Sequence, residues 1–149
     1  MRILFTALMA VPVLIFFIAY LSHKSGSLPP LLLLFPPQAG FVAGFCALLM
    51  AVAYVRYGLR KRAIRSLPTL QEKLGALEQA SRAKYWLQEA STLVGAIAFA
   101  LSGAPSMQAL FLVLLVAMGL SNPTIFSIMN DLKLSKEEAQ AVRRNLPLE

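Results

Sequence analysis

The chain has 149 residues, 58% of them hydrophobic and 14% charged, with a formal net charge of +7. Soluble domains carry roughly 45–50% apolar and about 25% charged residues, so this chain has too little polar surface to cover its apolar side chains in water, and too few residues for a separate soluble enzyme domain. Its positive charges stand beside apolar runs, which points to anchoring at a membrane surface and away from nucleic acid as a partner.

The first apolar run, about 3–21, matches the ~20 residues a helix needs to cross ~30 Å of hydrocarbon. It is longer than the apolar core of a secretory signal, about 7–15 residues, and Ala19-Tyr20-Leu21-Ser22 is a poor cleavage site, so it reads as a retained span. Pro12 at its centre removes one backbone hydrogen bond and predicts a kink. Two proline pairs, Pro29-Pro30 and Pro36-Pro37, bracket the apolar stretch 31–35. No continuous helix passes either pair, which puts this stretch at the outer interface or in a shallow dip against the bundle, and Pro37 in the first turn of the next helix. The second span covers about 38–57, with the lone cysteine, Cys46, read as a structural thiol.

A basic segment follows at 58–85, opening beside Arg56 with Arg60, Lys61, Arg62 and Arg65. Of the fourteen Lys and Arg residues only Lys24 lies in the first loop, so the positive-inside rule puts both termini and the basic segment in the cytoplasm. Within it Thr69-Leu70-Gln71-Glu72 fits a capping box, and Leu67, Leu70, Leu74 and Leu77 form one apolar stripe of an amphipathic helix. Only Gly75 weakly interrupts the pattern, so this helix is expected to continue past Tyr85 and Trp86 into a third span at about 86–102. The turn 102–106 is short, which makes the fourth span, about 105–121, an antiparallel neighbour of the third. In the tail, 122–149, Asn122 and Pro123 open a further helix whose Ile125, Phe126, Met129 and Leu132 suit the inner interface. A second capping box, Ser135-Lys136-Glu137-Glu138, starts a short polar helix that ends before Pro147. The expected fold is an all-α membrane protein: one domain of four transmembrane helices in an antiparallel bundle, with a cytoplasmic amphipathic helix between spans two and three and an interfacial carboxyl-terminal helix.

Glu89 is the only acidic residue inside an expected span. Charge in hydrocarbon is costly, so Glu89 reads either as a proton, cation or substrate site or as the partner of Arg56 in an ion pair locking spans two and three. Gly40 and Gly44 form a GxxxG motif on span two, continued by Ala43, Ala47 and Ala51, while Ser91, Gly95 and Ala98 give span three a similar small face. Such faces let helix backbones approach closely, either between spans two and three or between two copies of the chain. Arg60, Lys61, Arg62 and Arg65 are candidate contacts for anionic lipid, and the stripe of Leu70, Leu74 and Leu77 for the bilayer or a partner helix.

No catalytic, cofactor or metal constellation is visible. His23 is the sole histidine and has no Cys, His or paired carboxylate near it in sequence. There is no glycine-rich phosphate loop, nucleophile elbow or aspartate cluster, and no histidine on the inner side to serve as a base.

Pro123-Thr124, Ile128, Asp131-Leu132-x-Leu134-Ser135 and Glu138 resemble the carboxyl end of small bacterial four-helix membrane proteins of uncharacterised function. The resemblance extends to 85–103, where such proteins also place a glutamate early in an apolar span, and covers about a third of the chain. It implies four spans and a bacterial inner membrane, and carries no activity or functional residue with it.

Three roles follow as expectations. The leading one is a non-enzymatic accessory or scaffolding component, without cofactor, whose partners are the lipid bilayer and another membrane protein or a second copy of itself. The alternative is a subunit of a small oligomeric transporter or channel with Glu89 on a polar pathway. A membrane enzyme is a third, only with catalytic groups supplied by a partner.

Overall fold

The computed structural model describes residues 2–31, 36–121 and 131–132, with side chains from 6 to 31 and from 38 onward within those ranges. They form four α-helices and no strand: α1 Arg2–Lys24, α2 Pro36–Ile64, α3 Leu70–Ser102 and α4 Pro105–Gly119. The all-helical class agrees with the sequence reading. The expected tail elements, including the capping box at Ser135, and most of the stretch 31–35 lie outside the described residues.

Each boundary has a local cause. α1 runs without a break through buried Pro12 and ends at Lys24. Gly26 then adopts a left-handed φ of 72°, and the amides of Ser27 and Leu28 donate to the Ser22 carbonyl at 3.1 and 3.2 Å. α2 starts on its own proline pair, where a missing N–H costs nothing. The Thr69 hydroxyl accepts from the Glu72 amide at 3.3 Å, as a capping residue should, and α3 then continues unbroken for 33 residues. At 1.5 Å per residue that is about 50 Å. Gly103, at φ 62°, closes α3 by donating to the Phe99 carbonyl at 2.7 Å.

Two features depart from expectation. The basic segment is mostly helix: α2 carries Arg56, Arg60, Lys61 and Arg62 on to Ile64, leaving only 65–69 outside α2 and α3. Two helical stretches, Thr6–Lys24 and Gln38–Ile64, are long and apolar enough to cross a membrane, against the four spans expected. α4 is apolar but has 15 residues, about 22 Å of helix against ~30 Å of hydrocarbon, and the apolar half of α3 is continuous with a charged half. In both long stretches only 17% of the apolar window is buried inside the protein. Phe17, Ile18, Phe41, Phe45, Leu48 and Val55 are all more than half exposed, so these helices point their apolar faces outward.

α3 is the hub, packed against α1, α2 and α4, while α2 and α4 meet only marginally. Leu8 of α1 packs near Tyr85 and Met118, and Ala19 near Phe99 and Met107, so α1 runs parallel to α3. Cys46 packs level with Leu114 and Ser91, and Ile64 with Leu77, so α2 runs antiparallel to it. Phe16 stacks on Phe111 at 4.3 Å between ring centroids and brings α1 against α4.

Candidate functional site

α2 faces α3 along the line of Cys46, Met50, Ala53, Tyr57 and Ile64, spaced by three, four and seven residues as one helical face requires. In the middle of this seam the Ser91 hydroxyl donates to the Cys46 carbonyl at 3.0 Å, and the Cys46 thiol donates weakly to the Ser91 carbonyl at 3.5 Å. Cys46 is fully buried, in keeping with a structural thiol.

Toward the amino-terminal half of α3 the seam becomes polar. Ser121, just past α4, is the node: its hydroxyl lies 2.7 Å from the Tyr54 hydroxyl of α2, accepts from Gln88 Nε2 of α3 at 2.9 Å, and donates to the Ala117 carbonyl at 3.1 Å. Tyr85 donates to the Ser121 carbonyl at 3.3 Å. One serine thereby joins three helices.

Next to it lies an aromatic cage around Lys84. The ammonium stands 4.6 Å from the ring centroid of Tyr57, 4.9 Å from Tyr85 and 5.8 Å from Tyr54, distances at which ring faces attract a cation. Lys84 is only 8% exposed. Burial lowers its pKa from the ordinary value; Asp131 pulls the other way and Lys61 adds to the lowering. Burial, helped by the charge of Asp131, pushes Tyr85 up to about 12, so at neutral pH it remains a hydrogen-bond donor.

Asp131 closes the far side of this cluster. Its carboxylate pairs with Lys61 and accepts from the Tyr57 hydroxyl at 2.6 Å, while its carbonyl accepts from Arg65 Nε at 2.9 Å. Three side chains near the end of α2 thus hold Asp131. Outside this contact, between α2 and α3, lies a shallow, open groove lined by Ala53, Arg56, Tyr57, Arg60, Ala80, Ala83, Lys84 and Leu87.

The candidates named from sequence are rearranged by this geometry. Lys61 and Arg65 hold Asp131, whereas Arg56, Arg60 and Arg62 are exposed. Glu89 makes no ion pair with Arg56: its Oε2 is buried without a partner among the described residues, as is Oε1 of the adjacent, fully buried Gln88. Gly40, Gly44 and Ala47 do not meet α3. All three are exposed, and nothing lies within 4 Å of where a Cβ on either glycine would stand. Gly44 is two residues from Cys46, about 200° around the helix from the packed line. Gly95 faces α4 instead of α2, its position 3.1 Å from Leu114 Cδ1. The leucine stripe is largely consumed inside the chain: Leu77 is buried, and Leu74 and Leu67 pack with Ile64 and Leu132. Leu70 stays half-buried.

His23 has a role that its sequence position does not suggest. Its Nε2 lies 2.9 Å from the Ala100 carbonyl, and its ring covers Gly103 and meets Phe99 edge-on at 5.7 Å. It clasps the end of α1 to the turn between α3 and α4. The Leu31 amide, donating to the Leu101 carbonyl at 2.8 Å, ties the proline-rich loop to the same turn. The signals for the cluster around Lys84 were present in the sequence as Tyr54, Tyr57, Lys84 and Tyr85 close to the basic segment; the contribution of Asp131, some 70 residues from Lys61, was not.

Comparison with protein-family models, with curated proteins and with solved structures finds no significant match to this chain.

Proposed function

We propose that the chain is a multi-pass protein of a bacterial inner membrane, crossing four times with both ends inside, and that it acts as a non-enzymatic accessory or scaffolding component for another membrane protein. The observation that carries this reading is the orientation of α2. One side of it is used up against α3, while the opposite side, with Gly40, Gly44 and Ala47 between exposed Phe41, Phe45 and Leu48, is smooth, apolar and uncovered. Large apolar side chains facing outward suit lipid, and small residues among them let a second helix approach closely. The charge asymmetry supports the orientation, since cations crowd the end of the bundle at which α2 finishes and α3 starts.

The test is recovery of the tagged chain from its native membrane in mild detergent, with mass spectrometry of what stays bound and a native mass for the complex. A stoichiometric foreign membrane protein, lost on Gly44→Leu, is the expected outcome. A homo-oligomer alone would replace this reading with the second one, a transporter or channel subunit. The unpartnered, buried oxygens of Glu89 and Gln88 favour that alternative, because an intramembrane carboxylate without a partner is a costly feature that a polar pathway would explain.

A further inference from the structure

We propose that the groove between α2 and α3 binds the phosphate of an anionic phospholipid headgroup, with Arg56, Arg60 and Lys84 as its cationic lining. It rests on the membrane reading above for its location, though not on a partner protein. Three cations and no carboxylate line this groove. Arg56 and Arg60 stand one helical turn apart on α2, so their guanidinium groups share a face, and both are exposed. Neither makes a hydrogen bond or ion pair among the described residues.

Lys84 reaches the groove from α3, buried, with its ammonium held by tyrosine faces and, among the described residues, by no hydrogen bond to an anion. The carboxylate whose charge Lys84 feels, Asp131, is already committed to Lys61 and Tyr57. Ring faces replace only part of the hydration that a buried ammonium gives up, and a phosphate oxygen would supply the rest. This division of labour separates the basic residues: Lys61 and Arg65 hold the tail, while Arg56, Arg60 and Lys84 are left for an anion.

The shape of the groove favours a lipid over a free anion. Small side chains, Ala53, Ala80 and Ala83, form its floor, and Leu87 continues it toward the apolar half of α3. Exposed Leu48 and Val52 on α2, on the apolar side of Arg56, offer apolar surface in the direction acyl chains would take. Trp and Tyr gather at headgroup level in membrane proteins, and here Trp86, Tyr54, Tyr57 and Tyr85 stand at the level of the three cations.

The purified full chain in a neutral detergent provides the test, with thermal unfolding followed as a function of added short-chain phosphatidylglycerol, phosphatidylcholine of equal chain length, or inorganic phosphate. Phosphatidylglycerol should raise the melting temperature saturably, and the other two should not. Each Lys or Arg near a membrane surface contributes about a fivefold gain in anion affinity, so Arg56→Gln with Arg60→Gln should weaken the effect about twentyfold or more. Arg62→Gln, an exposed neighbour outside the groove, should leave it within about twofold. Equal weakening by Arg62→Gln would mean diffuse charge attraction and overturn the proposal, as would an equal response to phosphatidylcholine. A full response to inorganic phosphate would assign the groove to a soluble anion and overturn it too. Both arginine variants are at exposed positions, so the test does not depend on the folding of a Lys84 variant.

Discussion

Single atoms decide how this chain tolerates change. At Gly103 a methyl group would meet the His23 ring at 3.1 Å on a backbone with φ 62°, a region that side chains enter at a cost. Gly103→Ala should therefore destabilise the detergent-solubilised protein by about 1–3 kcal/mol, read as a lower melting temperature. Gly40→Ala meets nothing within 4 Å, and alanine favours a helix over glycine by up to about 1 kcal/mol, so the same assay should show no loss or a gain. Ser121→Ala is predicted to be costly for a different reason. It leaves Gln88, already lacking a partner for Oε1, without an acceptor for Nε2, and an orphaned buried polar group costs about 1–3 kcal/mol.

Among the elements α3 has two regimes of packing. In its apolar half, close fit and hydrogen bonds such as Ser91 to Cys46 hold the seam with α2, and under the proposed topology they do so in lipid, where association brings no hydrophobic gain. Where α2 and α3 run on toward 64 and 70, the proposed topology puts them in water, and burial of Leu77 against Ile64, Ala80 and Leu132 stabilises the pair in the ordinary way. Leu77→Ala should cost about 2–5 kcal/mol in a denaturant or thermal melt, and Leu70→Ala, at a half-buried site, clearly less. The tail is the other dependent element. Asp131→Asn removes the charge that Lys61 pairs with, and should speed limited proteolysis after residue 121 while leaving cleavage between α1 and α2 unchanged.

Across the whole molecule, the proposed orientation makes a direct prediction. A reporter fused after Arg65 should be cytoplasmic and one inserted near Ser25 should be external; the opposite result would remove the inner-leaflet setting of the groove. The bundle is open in character, since most of its helix contacts run through α3 and the outer sides of α1 and α2 carry large exposed apolar residues. A monomer of this shape has no enclosed polar path among its described residues, so a transport role would require further subunits.

Local rules were legible in the sequence because they act within one turn of helix. The capping role of Thr69, the proline start of α2, the short turn at 102–106 and the unbroken run of α3 all follow from short-range sterics and hydrogen bonding. The choice of packed faces was not legible. GxxxG on α2 and the small residues on α3 suggested a mutual seam, but Cys46, Met50 and Ala53 occupy it, and Gly40, Gly44 and Ala47 turn away. In lipid both faces of such a helix are apolar, so composition cannot say which one a neighbour takes; the fit against Ser91 and Leu114 does. The same holds for the charges. Sequence placed the cations at one end of the bundle, and only the tertiary structure, by bringing Asp131 back to Lys61, decided which of them remain open to a ligand.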